Sequence, residues 1–287
     1  MTSLIAWAGI DSRGPSSIYI ASDSRISWDG SGAIKWDQGR KVFAASQTPE
    51  IFGFCGDVLF PSIFLSQLTG ILVDNGVRPI TNAKGRAEAI LEYTKSGHDG
   101  FPLHGGGDSF TIHYCCREGE NMKGTFHVYV ITYSHASYTW SMEKREIPKK
   151  SGLVFVGGSG ETALKTWQDR WQSTSQGGTS RAIFSAFCDS LDSNHDPKTG
   201  GAPQLVGIKR SFRASHYGIL WKDNRYELGF KLPPDRLAHP KSVEWMNSLF
   251  ERCDPSAMKP LPSAKRHHKP SGLGNELGIT GVVKVPK

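Results

Sequence analysis

The chain has 287 residues, of which 38% are hydrophobic and 21% are charged. This composition is typical of a soluble globular protein and excludes a collagen, a coiled coil or a wholly disordered chain. The net charge is +7, but 10 Lys and Arg against 5 Asp and Glu fall from residue 231 onward. The positive excess therefore belongs mainly to the C-terminal segment, and nucleic acid is not expected as a partner.

Short sequence signals indicate where in the cell the protein is located and which metal or disulfide chemistry is not expected. Residues 1–5 have neither the basic nor the apolar region of a secretory signal, and no apolar run reaches the ~20 residues of a membrane-spanning helix. The five cysteines are scattered without a C-x-x-C pair, which disfavours both a disulfide framework and a zinc site. We therefore expect a cytoplasmic protein without a metal, a cofactor or a membrane partner.

The first 95 residues predict two β-hairpins and two helices. Runs rich in β-branched and aromatic residues predict strands over 4–10, 17–21, 41–44 and 50–54. From residue 58 the apolar residues recur at spacings of three and four, which predicts helices over 58–77 and 83–95.

Strands and helices continue to alternate up to residue 221. Strands are predicted over 109–116, 126–133, 138–146 and 153–156, the last two completing a second β layer. Helices are predicted over 161–172 and 179–191, and strands over 204–209 and 217–221. Because runs of strands alternate with pairs of helices, βαβ repeats are disfavoured and stacked sheets with helices outside are favoured.

The composition changes after Leu232. Pro233 and Pro234 begin a segment with several further prolines, many basic residues and little periodicity. We therefore predict a domain over residues 2–231 and a Pro-rich basic C-terminal extension over residues 232–287. About 35 of its last residues are expected to be extended or disordered.

Thr2 is of chemical interest because the initiator methionine is normally removed when a residue as small as threonine follows it. Removal leaves Thr2 with a free α-amine beside its own hydroxyl. An α-amine titrates near ~8, so at neutral pH it can accept the hydroxyl proton and activate the oxygen for attack on an acyl carbon.

Two charged residues downstream fit this chemistry. Asp23 follows the second predicted strand, and Lys41 begins the next pair of strands. A nearby cation lowers the pKa of a hydroxyl, and a carboxylate holds that cation in place. Asp23 and Lys41 can supply this pair, although each taken singly is more often an ordinary surface charge.

Five blocks of sequence, in this order, resemble the proteasome β-subunits and the HslV peptidase, which are N-terminal threonine (Ntn) hydrolases. The blocks are Thr2, residues 21–25 (ASDSR), Lys41-Val42 followed by residues 53–56 (GFCG), residues 156–160 (VGGSG) and, more loosely, residues 194–201 (NHDPKTGG). The resemblance spans residues 2 to about 225. It implies an α+β fold, a four-layer αββα sandwich of two antiparallel sheets flanked by helices.

The resemblance also implies a role for each matching residue. Thr2 is expected to be the nucleophile and, through its α-amine, the general base. Lys41 is expected to lower the hydroxyl pKa, with Asp23 orienting it, and Gly56 to present a backbone N–H to the oxyanion. Ser159, Asp196 and Thr199 are expected to form a polar shell around the α-amine. Arg25 is expected to support the site from the end of its strand.

On this resemblance we expect a threonine-type endopeptidase subunit of a self-compartmentalising, homo-oligomeric ring that cleaves unfolded polypeptides. Two alternatives keep the fold: a non-catalytic ring subunit or scaffold, and an Ntn amidohydrolase that acts on a small amide. The sequence leaves open whether an ATPase partner feeds such a ring.

Two features depart from the family's pattern. Asp57 stands where the family tends to have a small residue beside the oxyanion glycine, and its negative charge is the reason for keeping the non-catalytic alternative. The turn between the first two strands, around residues 11–17, is expected to be longer than the family's tight hairpin.

Overall fold

The computed structural model of the protein describes residues 2–28, 31, 33–73, 82–102, 109–234, 243–267 and 269–270. Met1 and residues 271–287 lie outside the described residues, and with them the predicted removal of Met1 and much of the predicted disorder at the C-terminus. The described chain combines helices with sheets, which confirms the α+β class.

The described residues form seventeen strands and four α-helices. The strands are β1 (Ser3–Asp11), β2 (Gly14–Ser22), β3 (Ile26–Ser27), β4 (Lys35–Trp36), β5 (Val42–Ala44), β6 (Glu50–Gly56), β7 (Phe110–Glu118), β8 (Thr125–Ser134), β9 (Thr139–Arg145), β10 (Gly152–Gly158), β11 (Gln204–Lys209), β12 (Ala214–Trp221), β13 (Asn224–Glu227), β14 (Phe230–Lys231), β15 (Glu244–Asn247), β16 (Arg252–Asp254) and β17 (Lys259–Pro260). The helices are α1 (Leu59–Val73), α2 (Ala83–Asp99), α3 (Glu161–Gln172) and α4 (Ser180–Asp192).

The strands join into two main sheets and one short ribbon. In the described part of the chain the larger sheet has ten strands, in the order β10-β1-β2-β11-β12-β15-β16-β17, with β13 and β14 branching from β12. The smaller sheet has the order β5-β6-β7-β8-β9, and β3 pairs with β4 in the ribbon.

The central strands of the larger sheet are buried on both faces. On β1, Leu4 and Ala6 belong to the apolar cluster that the two sheets share. Ile5 and Trp7, one residue out of phase, pack instead with α3 and α4. This alternation is the two-residue period of a strand. Because both faces are covered, the strand is a continuous apolar run in the sequence.

The smaller sheet is also covered on both faces. Ile51 of β6 belongs to the cluster shared by the sheets, whereas Phe52 and Phe54 pack with residues of α1 and α2. These two helices therefore cover the face of the smaller sheet that is turned away from the larger one. Asn82 begins α2 as an N-cap, since its side chain accepts a hydrogen bond from the Gly85 N–H at 2.7 Å.

Two expectations about strand connections are wrong. β10, predicted to complete the second β layer, pairs with β1 of the larger sheet. The first hairpin has a turn of two residues, because Asp11 pairs with Gly14, and a register shift after Gly9 accommodates the extra residue. The one parallel pair among the described strands, β12 with β15, involves a strand beyond residue 231. An apolar pattern predicts that a segment is a strand but not which strand it pairs with.

The larger sheet continues past residue 231, into the segment predicted to be a Pro-rich extension. β15, β16 and β17 lie there and are two to four residues long, too short to show an alternating pattern. Within the described residues, no helix is long and apolar enough to cross a membrane.

His113 on β7 offers a test of the packing between the two sheets. It is fully buried, and its ring lies 3.8 Å, centroid to centroid, from that of Phe155 on β10. Burial lowers the pKa of His113 to about 3 from its usual 6.5. The folded state therefore leaves this imidazole neutral at pH values where the unfolded chain protonates it.

We expect this histidine to make the protein less stable as the pH falls from about 6.5 towards 3, with no loss above 6.5. At pH 5 the loss is about 2 kcal/mol relative to pH 7.5, from the gap between pH 5 and the unfolded pKa. The His113→Phe variant should lose less free energy of unfolding between these pH values, measured by urea denaturation. A variant at the exposed His195, His195→Gln, serves as the control. Equal losses in wild type and His113→Phe would contradict the expectation.

Candidate active site

Thr2 lies directly before β1 and is fully buried. Its Oγ1 has no hydrogen-bond partner among the described residues. The backbone next to it is fixed to the end of β2: the Ser3 N–H donates to Asp23 Oδ1 at 2.9 Å, and the Asp23 N–H donates to the Ser3 carbonyl at 3.0 Å. The residue that follows Thr2 is thus bonded to Asp23, whereas the buried hydroxyl of Thr2 has no partner within the described chain.

Asp23 is a fully buried carboxylate that accepts hydrogen bonds from four residues, three of them distant in the chain. Its Oδ1 accepts from the Ser3 N–H and from Lys41 Nζ, the latter at 2.8 Å. Its Oδ2 accepts from the Arg25 N–H at 3.2 Å and from the Gly200 N–H at 3.1 Å. A charge removed from water in this way is tolerated only when it is paired and hydrogen-bonded.

Lys41 lies directly before β5 and is also fully buried. Its ammonium donates to Asp23 Oδ1 and to the Arg25 carbonyl oxygen, at 2.8 and 2.5 Å. An ammonium has three protons to donate, and these two acceptors are the ones it has within the described residues. Burial lowers the pKa of Lys41 from its usual range, and the negative charge of Asp23 opposes that shift.

Gln204, which the sequence analysis missed, joins the segments that carry the ion pair. Its Nε2 donates to the carbonyl oxygens of Asp23 and Gly39 at 2.9 and 2.8 Å, and its Oε1 accepts from the Lys41 N–H at 3.1 Å. A fully buried amide with its partners satisfied fixes the two backbones relative to each other. The signal in the sequence was a polar residue opening the otherwise apolar strand β11.

Arg25 connects the ion pair to the loop that precedes β11. Its Nε and Nη2 donate to the two carboxylate oxygens of Asp37 at 2.7 and 2.9 Å. Its Nη1 donates to the carbonyl oxygens of Pro197 and Thr199 at 3.0 and 3.1 Å. A bidentate pair of this kind sets the orientation of the guanidinium, and Asp37 is a second residue that the sequence analysis missed.

Ser159, Asp196 and Thr199 form a second polar group, built from the turn after β10 and the loop before β11. Ser159 Oγ donates to Asp196 Oδ2 at 2.5 Å, and the Thr199 N–H donates to the Asp196 carbonyl oxygen at 3.2 Å. Gly158, which pairs with Ser3, has φ +92°, and a Cβ there would overlap the carbonyl oxygen of Thr2. The turn after β10 can therefore approach Thr2 only without a side chain.

Gly56 ends β6 with φ +100°. It follows Cys55, whose Sγ would lie 3.1 Å from a Cβ placed on Gly157, so β6 ends beside β10. Burial raises the pKa of the Cys55 thiol to about 11, which leaves the sulfur protonated and unsuited to act as a nucleophile.

The structure brings the predicted site residues to one place. Seven of the eight are connected by hydrogen bonds, directly or through the adjoining residue, and Gly56 lies near them through Cys55. Their catalytic roles stay a prediction. Among the described residues, no three His, Cys, Asp or Glu side chains come together as a metal site requires.

The fold resembles that of a solved β-subunit. Anbu (ancestral beta-subunit) from Yersinia bercovieri superimposes with a TM-score of 0.51 over 74% of this chain and 86% of that chain. At fold level the protein is similar to Anbu. Sequence identity is 13%, so the likeness concerns the fold alone.

The expected assignment to the proteasome β-subunit and HslV peptidase family is wrong. No family model and no curated protein matches the sequence. The structural likeness is to Anbu, at an identity too low to carry a family assignment. The five short blocks that suggested the family therefore do not establish membership of it.

Gly158 allows the close approach of the two backbones at Thr2 to be tested. We expect Gly158→Ala to lower the free energy of unfolding by more than about 2 kcal/mol, through the positive φ and the overlap with the Thr2 carbonyl. Gly14→Ala is the matched control, since Gly14 has φ +104° but nothing within 4 Å of its Cβ position. Chemical denaturation should show a smaller loss of unfolding free energy for Gly14→Ala than for Gly158→Ala. Equal losses would mean that the overlap between the new Cβ and the Thr2 carbonyl oxygen costs no stability.

Proposed function

We propose that the protein is an N-terminal threonine hydrolase that cleaves amide bonds with Thr2 as nucleophile. The observation that supports the proposal is the buried Thr2 Oγ1, which is unpartnered within the described residues. The next residue, Ser3, donates its N–H to Asp23 of the Asp23–Lys41 ion pair. An unsatisfied buried hydroxyl costs about 1–3 kcal/mol. A chemical role for that hydroxyl explains why the cost is tolerated.

In the proposed reaction, removal of Met1 frees the α-amine of Thr2. This amine accepts the hydroxyl proton while Oγ1 attacks the amide carbonyl carbon, and the leaving amine takes the proton as the C–N bond breaks. Water then hydrolyses the ester, which restores Thr2 and releases the carboxylic acid. Lys41 stabilises the developing charge on Oγ1, and the N–H of Gly56 is the proposed oxyanion donor.

We also infer a four-layer αββα sandwich of the Ntn-hydrolase type. Three apolar clusters support it: one is shared by the two sheets, one lies between the smaller sheet and α1 with α2, and one lies between the larger sheet and α3 with α4. In this arrangement the ends of β1, β2, β6 and β10 meet at Thr2.

A homo-oligomeric ring that acts on unfolded polypeptides is the assembly we propose. Support comes from the likeness in fold to Anbu, an ancestral beta-subunit. Whether an ATPase partner acts with such a ring is left open by the sequence.

A non-catalytic subunit of the same fold is the second candidate function. The likeness to Anbu supports this coarser function better than it supports peptidase activity, because it concerns the fold alone. Asp57 also favours it: its carboxylate follows Gly56 directly and accepts from the Leu59 N–H at 3.2 Å. A negative charge at that position opposes an oxyanion at Gly56.

Reaction with a threonine-reactive β-lactone tests the proposed nucleophile. Intact mass should show loss of one methionine and a single adduct, because a free α-amine activates the hydroxyl beside it. Thr2→Ala should form no adduct, and Lys41→Met should form it at least tenfold more slowly. Thr166→Ala, at an exposed threonine, is the control. A processed chain that takes no adduct would favour the non-catalytic subunit.

Asp57 provides a second test. We expect Asp57→Asn to raise the rate of adduct formation several-fold, because it removes the negative charge beside Gly56 and keeps an oxygen for the Leu59 N–H. Time-resolved intact mass measures the rate. An unchanged or lower rate would show that this charge does not oppose the reaction. Casein and small acyl amides then distinguish a peptidase from a small-amide hydrolase.

A further inference from the structure

Gln204 bonds the backbone of both partners of the buried ion pair. It opens β11 and pairs with Ser22 of β2, one residue before Asp23. Its Nε2 donates one proton to the Asp23 carbonyl oxygen at 2.9 Å and the other to the Gly39 carbonyl oxygen at 2.8 Å. Its Oε1 accepts from the Lys41 N–H at 3.1 Å. Both donors of the amide are therefore used, and all three bonds go to backbone next to the ion pair.

The place of the Lys41 ammonium follows from these backbone bonds. The side chain leaves the backbone at the point that Gln204 holds and ends at Asp23 Oδ1, at 2.8 Å. Both ends of the ion pair thus start from backbone segments that one amide fixes relative to each other. A misplacement of about 1 Å at a group that takes part in a reaction can cost roughly a hundredfold in rate. Gln204 is therefore placed to act on the site through Lys41.

The turn between β13 and β14 closes on the same place. Its two residues, Leu228 and Gly229, have φ +50° and +86°, the conformation of a tight hairpin turn. A Cβ on Gly229 would lie 2.9 Å from the Gly39 carbonyl oxygen and 3.1 Å from Cδ of Gln204. The turn thus contacts both the donor side chain and the acceptor of one of the three hydrogen bonds, and a side chain at residue 229 would disturb them.

Two contacts hold this turn in place. Leu228 packs on the apolar cluster that the two sheets share, and the Lys231 N–H of β14 donates to Gln38 Oε1 at 3.2 Å. Positive φ is uncommon for leucine, so the packing of its side chain stabilises an otherwise unfavourable backbone. Gln204 beneath the turn is fully buried. Its hydrogen bonds are consequently stronger than they would be in water.

We propose that Gln204 is a positioning residue for Lys41 and that the β13–β14 turn holds it in that role. The effect on catalysis rests on the function proposed for Thr2, whereas the placement of the Lys41 ammonium can be measured without it. Loss of the amide bonds lets the backbone before Lys41 move relative to Asp23. The ammonium then becomes accessible to water and stabilises charge in the proposed reaction less well.

Acetylation of Lys41 measures this placement directly. The wild-type side chain is fully buried and should react slowly with isotopically labelled acetic anhydride, followed by peptide mass mapping. Gln204→Met has a side chain of similar length but no hydrogen bonds, and it should raise the acetylation rate of Lys41 at least tenfold. Gln168→Met is the matched control, because Gln168 is also buried and donates to a backbone carbonyl oxygen, that of Ile183, at 3.0 Å. It should leave Lys41 protected.

The kinetics of β-lactone adduct formation measure the consequence for the proposed reaction. Gln204→Met should lower the maximal rate at least tenfold and change the half-saturating lactone concentration less than twofold, because it displaces Lys41 and not the lactone. Gln204→Glu should regain part of the rate, relative to wild type at each pH, as the pH falls, since a protonated carboxyl can again donate to a carbonyl oxygen. A loss of stability alone would produce neither effect, and near-UV circular dichroism establishes that each variant is folded.

Gly229→Ala tests the part played by the turn. Its methyl group would crowd the Gly39 carbonyl oxygen and Gln204, so it should raise acetylation of Lys41 and slow adduct formation, as Gln204→Met does. Gly178→Ala is the control, because Gly178 has φ +70° and nothing within 4 Å of its Cβ position. It should change neither measurement.

Acetylation of Lys41 at the wild-type rate in Gln204→Met would overturn the positioning role, whatever the reactivity of Thr2. Wild-type acetylation in Gly229→Ala would overturn the role of the turn. If the wild type forms no adduct but Gln204→Met exposes Lys41, the function proposed for Thr2 is wrong and the positioning of Lys41 stands. If Lys41 becomes exposed while the maximal rate of adduct formation is unchanged, Gln204 does not act on the reaction.

Discussion

The structure around Thr2 depends on one buried charge, the carboxylate of Asp23. Donors reach it from Arg25, two residues along the same segment, and from three distant residues, Ser3, Lys41 and Gly200. Charge-assisted hydrogen bonds of this kind are about twice as strong as neutral ones. The carboxylate thereby fixes the start of β1 against the end of β2, and it sets where the lysine ammonium lies.

The layers around this charge serve to exclude water from it. Both sheets contribute apolar residues to a shared cluster, and the helices cover the outward faces. In a dry interior the ion pair is strong, but its loss is costly, because a single buried charge has no solvent to stabilise it. The same burial lowers the pKa of Lys41.

Much of the fold and part of the site could be predicted from the sequence. The bounds of α3 and β11 agree with the prediction, because strong periodicity and clear turn residues mark them. The pairing of β10 and the short strands β15, β16 and β17 could not be predicted, since an apolar run does not specify its partner and very short strands have no period. Thr2, Asp23 and Lys41 were found from their chemistry. Gln204 and Asp37 were missed because they act on backbone groups and on Arg25, which only the folded chain brings near.

The distances along the chain between the groups that meet at Asp23 affect when the site can form. Ser3 and Gly200 are separated by almost the whole domain, and Gln204 follows still later. At 5–20 residues per second, a ribosome releases Gly200 about 10–40 s after Thr2. A nascent chain therefore carries an exposed threonine without its buried ion pair for most of its synthesis. If Thr2 is reactive, the hydroxyl is harmless to neighbouring nascent chains until the domain is complete.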